Sequence, residues 1–417
     1  MLYFEDYKRR SLLLFCSIQG CAVELVRSPP CMLVCVQSLN GPTEQSELAG
    51  FHHVCRLSRY TSCLVGTCCT RPRTSLLLNT RWRMDDQQQP PLFTFGVIAD
   101  IQYADIDDGY NFTRSRRRYY RSSLQLLRNA QQSWSDSAVA PRFVLQLGDI
   151  IDGFNKGRGA SDRALDTVLR AFGSGPLEVH HVWGNHEFYN FSRRALLSSR
   201  LNTTPPDTDT EEPAGSLSAD RAAPDIYAYR FSPLPGFTFV VLDAYDVSLL
   251  GREESSEEYR GARDVIRQHN NNEDLNCPPV LEGLERRFTM FNGGFSKDQL
   301  DWLESVLSSA DEKKERVTII SHLPVHPQST DPICLAWNFD KVLDIIKSHS
   351  SVVCFMAGHD HDGGYCQDKD TGVHYLTLEG VIETPPDSDA FGTVSVYEDR
   401  MVLKGSGRIA DRVFLFQ

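Results

Sequence analysis

The sequence contains no uninterrupted apolar run long enough to span a membrane. A membrane-spanning helix needs roughly 18 to 20 consecutive apolar residues, and no stretch of the 417 residues approaches that length. A phosphate-binding glycine loop is also missing, because Gly153 to Gly159, GFNKGRG, lacks the lysine and the Ser/Thr that end such a loop. These absences argue against a membrane partner and a P-loop nucleotide site, and we expect GFNKGRG to form a flexible turn.

Cysteine is scarce in most of the chain. Eight of the twelve cysteines precede residue 83, and only Cys277, Cys334, Cys354 and Cys366 follow it. Four scattered cysteines do not form a disulfide framework. Because reduced thiols are typical of the cytosol, we expect a cytoplasmic protein, with secretion as the alternative.

Basic residues are outnumbered in the same part of the chain. Residues 1–83 hold ten Lys/Arg and five Asp/Glu, which leaves 33 basic and 50 acidic residues after Arg83, a balance of −17. An acidic surface repels nucleic acid and anionic membranes. We therefore expect neither of them as a partner.

The N-terminal 83 residues differ from the remainder of the chain. They lack clear hydrophobic periodicity and lead into the polar stretch MDDQQQPP, Met84 to Pro91. The segment SLLLFCSIQGCA, which follows Lys8 to Arg10, weakly resembles a secretory signal. We expect residues 1–83 to be an extension that is disordered or foreign to the fold, and residues 84–417 to form a single folded domain.

From Leu92 onward, apolar runs alternate with amphipathic segments. Near-continuous apolar runs are typical of strands that are covered on both faces. Seven such runs predict strands at 93–100, 142–149, 177–185, 237–245, 316–322, 352–359 and 373–380. Alternation of strands and helices indicates an α/β layered fold, with functional sites at the strand ends.

The amphipathic segments predict helices. Apolar residues recur with a helical period in 114–134, 162–172, 296–310 and 338–349. Ser296 and Gln299 fit a capping box at the start of the third of these helices. The polar stretches 202–223 and 251–277 predict loops or short helices across the mouth of a site.

Five of the predicted strand ends carry residues of the types that bind metal ions. They are ADIQ at 99–102, GDIID at 148–152, GNHE at 184–187, SH at 321–322 and GHDH at 358–361. A single histidine after a strand is usually a loop residue or a buried core histidine. Five such clusters, three of them opened by a glycine, are difficult to obtain by chance, so we expect them to converge at one metal site.

In this order the clusters resemble the motifs D-x-[H/Q], GD-x-x-D, GNH[E/D], H and GH-x-H of the calcineurin-like metallophosphoesterase superfamily. The resemblance extends from Phe93 to about Leu403. It implies a two-sheet α/β sandwich with a dinuclear metal site at the C-terminal ends of the strands. It also implies two ligand sets that share Asp149: Asp100, Gln102 and His361 for the first ion, and Asn185, His322 and His359 for the second.

The resemblance also assigns roles to residues beside the ligands. His186 matches the family position that faces the leaving oxygen or the phosphoryl oxygens, which implies a general acid or a group that stabilises the transition state. Glu187 and Asp152 fit positions that orient the ligands. Two divalent ions a few ångströms apart can activate water and bind phosphoryl oxygens, so the site is expected to hydrolyse phosphate esters or anhydrides.

Gln102 occupies a position where most members of the superfamily carry histidine. Together with FNGGFS at 291–296, SHLPVHP at 321–327, GHDHDGGY at 358–365 and HYLTLEGVIETPP at 374–386, it resembles the manganese-dependent ADP-ribose/CDP-alcohol diphosphatases. The resemblance implies hydrolysis of the pyrophosphate bond of ADP-ribose, CDP-choline and other CDP-alcohols. The resemblance also implies two divalent ions, Mn²⁺ for activity with Mg²⁺ or Zn²⁺ as alternatives. The Gln102 amide oxygen is a hard, neutral ligand that favours Mn²⁺ or Mg²⁺.

The implied substrate is a small nucleotide with a flat base, which calls for an apolar or aromatic contact near the metals. Phe112, Leu284 and Cys334 are the candidates for this contact, although ordinary loop packing also explains each of them. Two other functions stay open: a phosphodiesterase or phosphomonoesterase acting on cyclic nucleotides or phospholipid head groups, and an inactive scaffold that binds a partner. The full ligand set argues against the scaffold. We expect the protein to be a monomer.

Overall fold

A computed structural model of the protein describes residues 89–111, 113–173, 177–205, 220, 222–223 and 225–417. The expected extension 1–83 and its boundary at Met84 lie outside the described residues, so the predicted domain limits stay predictions.

The described residues contain fourteen strands. In chain order they are Phe93–Ile98 (β1), Gly109–Tyr110 (β2), Arg117–Arg118 (β3), Phe143–Gln146 (β4), Glu178–His181 (β5), Tyr229–Leu234 (β6), Phe237–Val241 (β7), Arg316–Ile320 (β8), Val352–Ala357 (β9), Gly364–Gln367 (β10), His374–Thr377 (β11), Ala390–Val396 (β12), Arg400–Gly407 (β13) and Arg412–Leu415 (β14).

The same residues contain eight α-helices and three short 3₁₀-helices. The α-helices are Ser122–Ser135 (α1), Phe154–Gly157 (α2), Ser161–Ala171 (α3), Asn185–Asn190 (α4), Arg193–Leu197 (α5), Glu257–His269 (α6), Lys297–Lys313 (α7) and Phe339–Lys347 (α8). The 3₁₀-helices are Leu284–Arg287, Pro332–Cys334 and Val381–Glu383. No helix in this part of the chain is both long and apolar enough to cross a membrane.

Most strands belong to two six-stranded sheets. The first sheet has the order β14-β13-β12-β1-β4-β5, and the second has the order β10-β11-β9-β8-β7-β6. Within the first sheet, β1, β4 and β5 are parallel, and within the second sheet β7, β8, β9 and β11 are parallel. The C-terminal ends of the parallel strands therefore meet at one edge of each sheet, where an α/β fold carries its sites.

Aromatic side chains pack between the facing surfaces of the two sheets. The ring centroid of Phe93 lies 5.5 Å from that of Phe237, and Phe239 lies 5.3 Å from Phe95 and 5.1 Å from Phe143. These pairs meet edge to face, an arrangement that contributes beyond the apolar area they bury. The inner faces of the sheets thus form one apolar core that holds the strand ends at fixed positions.

Helices cover the outer faces. The Trp134 ring of α1 packs 5.7 Å from Phe391 of β12 and lies directly over Gly96, where an added Cβ would come within 2.7 Å of the indole. On the second sheet, α7 contacts both β8 and α8. The predicted two-sheet α/β sandwich is confirmed, and each of the seven predicted strands is present.

Two local predictions were wrong. Residues 114–121 were expected to begin a helix, but Arg117–Arg118 forms a strand and α1 starts only at Ser122. Residues 154–157 of the expected flexible turn form one helical turn. In the charged stretch 251–277, where loops or short helices were expected, the structure contains the thirteen-residue helix α6.

The capping box at α7 is only half formed. The Ser296 side chain accepts from the Gln299 backbone as expected. The Gln299 side chain instead accepts from the backbone N–H of Asp243 and donates to the carbonyl of the same residue. Both polar atoms of this buried amide thereby have a hydrogen-bond partner.

Candidate metal centre

The seven predicted ligands lie together at the ends of five parallel strands. Each follows a strand of the set β1, β4, β5, β8 and β9 by a few residues. Because these strands belong to both sheets, the cluster forms where the two sheet edges meet. The structure therefore brings together every metal ligand that the sequence predicts.

The first ligand set surrounds Asp149. The Gln102 amide lies 3.2 Å from Asp149 Oδ2 and 2.9 Å from His361 Nε2, and His361 Nε2 lies 3.3 Å from Asp100 Oδ1. In the structure the amide nitrogen of Gln102 faces these atoms. A half-turn about the last side-chain bond brings the amide oxygen to the same position, and this is the orientation that a metal ion requires.

The second set also lies close to Asp149. His322 Nε2 is 3.4 Å from Asp149 Oδ2, and Asp149, His322 and His359 each offer a ligand atom, all within 4.8 Å of one another. Gly184, which precedes Asn185, also lies close to Asp149, since an added Cβ on Gly184 would be 2.1 Å from Asp149 Oδ1. Asp149 thus lies between both sets, as a bridging carboxylate must.

The backbone at the ligands is strained. Six described residues other than glycine have positive φ, and four of them are predicted ligands: Asp100, Gln102, Asp149 and His359. A residue with a side chain in this region costs on the order of 1–3 kcal/mol and persists only where its surroundings enforce it. Concentration of this strain at the strand ends is typical of a functional site.

Hydrogen bonds to neighbouring groups fix which ring nitrogen of His322 and His361 can bind an ion. His322 Nδ1 donates to the carbonyl of Leu147 over 2.7 Å, and His361 Nδ1 donates to Glu383 over 2.9 Å. When either ring is neutral, its proton is on Nδ1, and Nε2, which faces the carboxylates, is free to bind an ion. Such outer contacts set the tautomer and orientation of metal-binding histidines.

Several buried polar atoms at the centre have no hydrogen-bond partner within the protein. They are Asp100 Oδ1, Gln102 Oε1, Asp152 Oδ2 and His322 Nε2. Buried polar atoms are nearly always paired, so the unpaired atoms of Asp100 and His322 fit the donor set of a metal ion, and the half-turn of the Gln102 amide would bring its unpaired oxygen to the same place. Hard oxygen atoms and imidazole nitrogens together suit Mn²⁺, Mg²⁺ or Zn²⁺.

The charges of the cluster also favour a cation. Burial acts to lower the pKa of His322, but Asp149, Asp100 and the Leu147 carbonyl together raise this pKa to about 9. In the same way, burial is opposed at His361 by Asp100 and Glu383, which together raise its pKa to about 9. The buried carboxylates thus attract positive charge, which divalent ions would supply.

Glu187 organises the loop that carries Asp149. Its carboxylate accepts hydrogen bonds from the backbone N–H groups of Asp149, Ile150 and Gly184, with lengths of 2.7 to 2.8 Å. Burial and the Asp149 charge raise the pKa of Glu187 to about 8. The side chain therefore ties the GDIID and GNHE motifs together, in agreement with the orienting role expected for it.

The candidates for substrate contact lie in different surroundings. Leu284 is 42% exposed and begins the 3₁₀-helix Leu284–Arg287, which packs against Pro332–Cys334. Burial, with Asp360 next, raises the pKa of the Cys334 thiol well above its usual value, which leaves the thiol neutral. Phe112 lies outside the described residues, so its contact stays a prediction.

Three residues of the site were not assigned a role from the sequence. Asn292 accepts from His359 Nε2 over 2.9 Å, Glu383 accepts from His361, and Arg118 Nε lies 3.3 Å from Glu383. Asn292 and Glu383 belong to the stretches FNGGFS and HYLTLEGVIETPP, which carry part of the resemblance. Those stretches were the available signal, but only the fold shows which of their side chains reach the ligands.

Comparisons with known proteins agree with this arrangement. Residues 93–363 match the family described as calcineurin-like phosphoesterase. The manganese-dependent ADP-ribose/CDP-alcohol diphosphatase of Danio rerio is 59% identical over 325 residues, 78% of this chain and 98% of that protein. The Homo sapiens protein of the same name is 49% identical over 342 residues, 80% of this chain and 98% of that protein.

A solved structure shows the same fold. The crystal structure of a dimetal phosphatase from Danio rerio is 58% identical, covers 78% of this chain and 100% of that chain, and superposes with a TM-score of 0.73. The resemblance stated from the motifs is therefore confirmed. The chain belongs to the calcineurin-like phosphoesterase family, together with the manganese-dependent ADP-ribose/CDP-alcohol diphosphatases that it resembles.

Proposed function

We propose that this protein hydrolyses the pyrophosphate bond of nucleoside diphosphate-linked compounds with Mn²⁺ as the activating ion. Water is added across the P–O–P bond, and ADP-ribose or CDP-choline yields a nucleoside monophosphate and a phosphorylated sugar or alcohol. One observation carries the proposal. The segments that carry the seven predicted ligands meet around Asp149, and buried donor atoms of Asp100, Gln102 and His322 have no partner within the protein, in a chain 49% to 59% identical to proteins named for this reaction.

The metal ions would be held by two sets of ligands that share Asp149. When bound, two divalent ions stabilise charge on phosphoryl oxygens and make an attacking water more acidic. Their ligands are proposed to be Asp100, Gln102, Asp149, Asn185, His322, His359 and His361.

His186 is proposed to serve the leaving oxygen. Its Nδ1 accepts a hydrogen bond of 2.8 Å from the backbone of Gly153, so a neutral ring carries its proton on Nε2. This proton is available to an oxygen that becomes negative as the pyrophosphate bond breaks. Leu284, Cys334 and Phe112 remain the candidates for contact with the substrate.

A substrate panel tests the proposal. ADP-ribose, CDP-choline, a cyclic nucleotide and a simple aryl phosphate are supplied to the protein with Mn²⁺ and with Mg²⁺, and the products are separated by chromatography. We expect AMP with ribose 5-phosphate, and CMP with phosphocholine, at higher rates with Mn²⁺. Turnover of only the cyclic nucleotide or only the aryl phosphate would identify a different phosphoesterase. The Asp149→Ala variant controls for contaminating hydrolases.

We further propose a monomeric, cytoplasmic protein without a nucleic-acid or membrane partner. The described cysteines Cys277, Cys334, Cys354 and Cys366 are free thiols, which suits a reducing compartment. The excess of acidic residues after Arg83 opposes binding to anionic polymers. Sedimentation velocity tests the monomeric state, and cell fractionation tests the cytoplasmic location.

A further inference from the structure

The segment Phe291–Asn292 contacts one ligand of the second ion site directly and is linked to another through Tyr245. Asn292 is fully buried, and its Oδ1 lies 2.9 Å from His359 Nε2. One residue earlier, the carbonyl of Phe291 accepts from the Tyr245 hydroxyl over 3.2 Å, and this hydroxyl also lies 3.2 Å from Asn185 Oδ1. A short stretch outside the five metal-binding motifs is therefore connected to two proposed ligands, to His359 directly and to Asn185 through Tyr245.

The orientation of the Asn292 amide is determined by its other contacts. Its Nδ2 donates to the carbonyl of Arg287 over 2.8 Å and to the carbonyl of Ile333 over 2.7 Å. Both partners can only accept, so the nitrogen must face them and the oxygen must face His359. His359 consequently carries its proton on Nε2, which leaves Nδ1 as the nitrogen that can bind an ion.

The two carbonyls belong to the pair of 3₁₀-helices beside the centre. Arg287 ends Leu284–Arg287 and Ile333 lies within Pro332–Cys334, and these helices contact each other. They carry Leu284 and Cys334, two of the candidates for substrate contact. A single amide thus links a ligand histidine to both parts of this wall, which we call the substrate wall.

We infer that Asn292 is a positioning residue that couples the second ion site to the substrate wall. Its oxygen sets the tautomer and direction of His359, whereas its nitrogen holds Leu284–Arg287 against Pro332–Cys334. The first effect concerns ion affinity, and the second concerns substrate affinity. The substrate part of this inference rests on the function proposed above.

Two substitutions at this position separate the effects. Asn292→Ala removes both, and we expect Mn²⁺ affinity to fall by about 10- to 100-fold, as for other partners of metal-binding histidines. Asn292→Asp keeps an oxygen for His359 but loses both donors. We expect Mn²⁺ affinity within about threefold of the wild type and a KM for ADP-ribose raised by about fivefold or more, the effect of a lost hydrogen bond, with a smaller change in kcat.

Asn270→Ala is the matched control for the ion measurement. Asn270 is also fully buried, and its amide donates to the carbonyls of Cys277 and Phe288, but it contacts no ligand. Its loss should reduce stability to urea and leave Mn²⁺ affinity unchanged, which distinguishes positioning from general damage to the fold.

Mn²⁺ affinity is measured by calorimetric titration of the metal-free proteins, and KM by product formation. Wild-type affinity for both ions in Asn292→Ala would overturn the ion part of the inference. A wild-type KM in Asn292→Asp would overturn the coupling to the substrate wall. Because the titration uses no substrate, failure of the wild type to hydrolyse ADP-ribose would refute the proposed function while the ion part is still decided.

Discussion

The backbone N–H of Gly153 donates a hydrogen bond of 2.8 Å to Nδ1 of His186. Gly153 follows the GDIID motif after β4, and His186 lies in the first turn of α4. The acceptor role of Nδ1 places the proton of the neutral ring on Nε2, the atom that lies 3.9 Å from Asp149 Oδ2. The neutral ring therefore carries its proton on the nitrogen nearer to Asp149, the carboxylate proposed to be shared by both ions.

His186→Ala should impair turnover much more than ion binding. The variant removes this proton donor but none of the seven proposed ligands, so we expect kcat to fall by about 10²- to 10⁴-fold with Mn²⁺ affinity close to that of the wild type. Steady-state rates at saturating Mn²⁺ and calorimetric titration measure the two quantities. His349→Ala, at a histidine that contacts Asp311 rather than the centre, is the control. An unchanged kcat in His186→Ala would refute the role proposed for this residue.

Gln102→His should keep activity but change which ion supports it. The Gln102 amide lies 2.9 Å from His361 Nε2, so an imidazole there would add a nitrogen donor to the first ion site. Nitrogen donors favour Zn²⁺ and related ions over Mn²⁺ and Mg²⁺. We expect the ratio of kcat/KM with Mn²⁺ to kcat/KM with Zn²⁺ to fall, measured on metal-free protein reloaded with each ion. Complete loss of metal binding would contradict this prediction.

The sequence predicted the strands that carry the site better than it predicted the edges of the sheets. The runs around β1, β4 and β9 are almost continuously apolar because both faces of these strands are buried. In β13, buried and more exposed residues mix, so the periodicity is weak and this strand was not foreseen. The basic composition of residues 114–121 is compatible with a helix. It contains no signal for the pairing of Arg117–Arg118 with β2, which makes this segment a strand.

The proposed ligands could be selected from the sequence because each lies within a short motif next to a strand, whereas the residues that contact them could not. Glu383 is 22 residues from the histidine it contacts, and Asn292 is 67 residues from His359. Contacts over such distances are created by the fold and have no local signature. Candidate ion ligands are therefore easier to predict from a sequence than the residues that orient those ligands.

Mn²⁺ should stabilise the folded protein, and removal of the ions should reverse the effect. A ligand that binds only the folded state at about 100 times its dissociation constant adds about 2.7 kcal/mol, or about 4 °C in Tm for a domain of about 330 residues. Differential scanning fluorimetry of metal-free protein, with Mn²⁺ and then excess EDTA, measures the shift. Asp149→Ala removes the carboxylate between both ligand sets and should show little of it. An equal shift in that variant would place the stabilising ions elsewhere.

Gly148→Ala should disturb the second ion site through the backbone. Gly148 has a φ of +99°, and an added Cβ would lie 2.2 Å from His322 Nδ1, the atom that donates to Leu147. The ring must therefore move, and we expect weaker Mn²⁺ binding and a loss of about 1–3 kcal/mol in the free energy of unfolding.

Gly261→Ala in α6 is the matched control, because nothing lies within 4 Å of its added Cβ. A helical alanine is favoured over glycine by up to about 1 kcal/mol, so this variant should become more stable and bind Mn²⁺ like the wild type. Urea unfolding and Mn²⁺ titration distinguish the two outcomes. Wild-type Mn²⁺ affinity in Gly148→Ala would mean that His322 tolerates displacement, and its orientation by Leu147 would then not be required for ion binding.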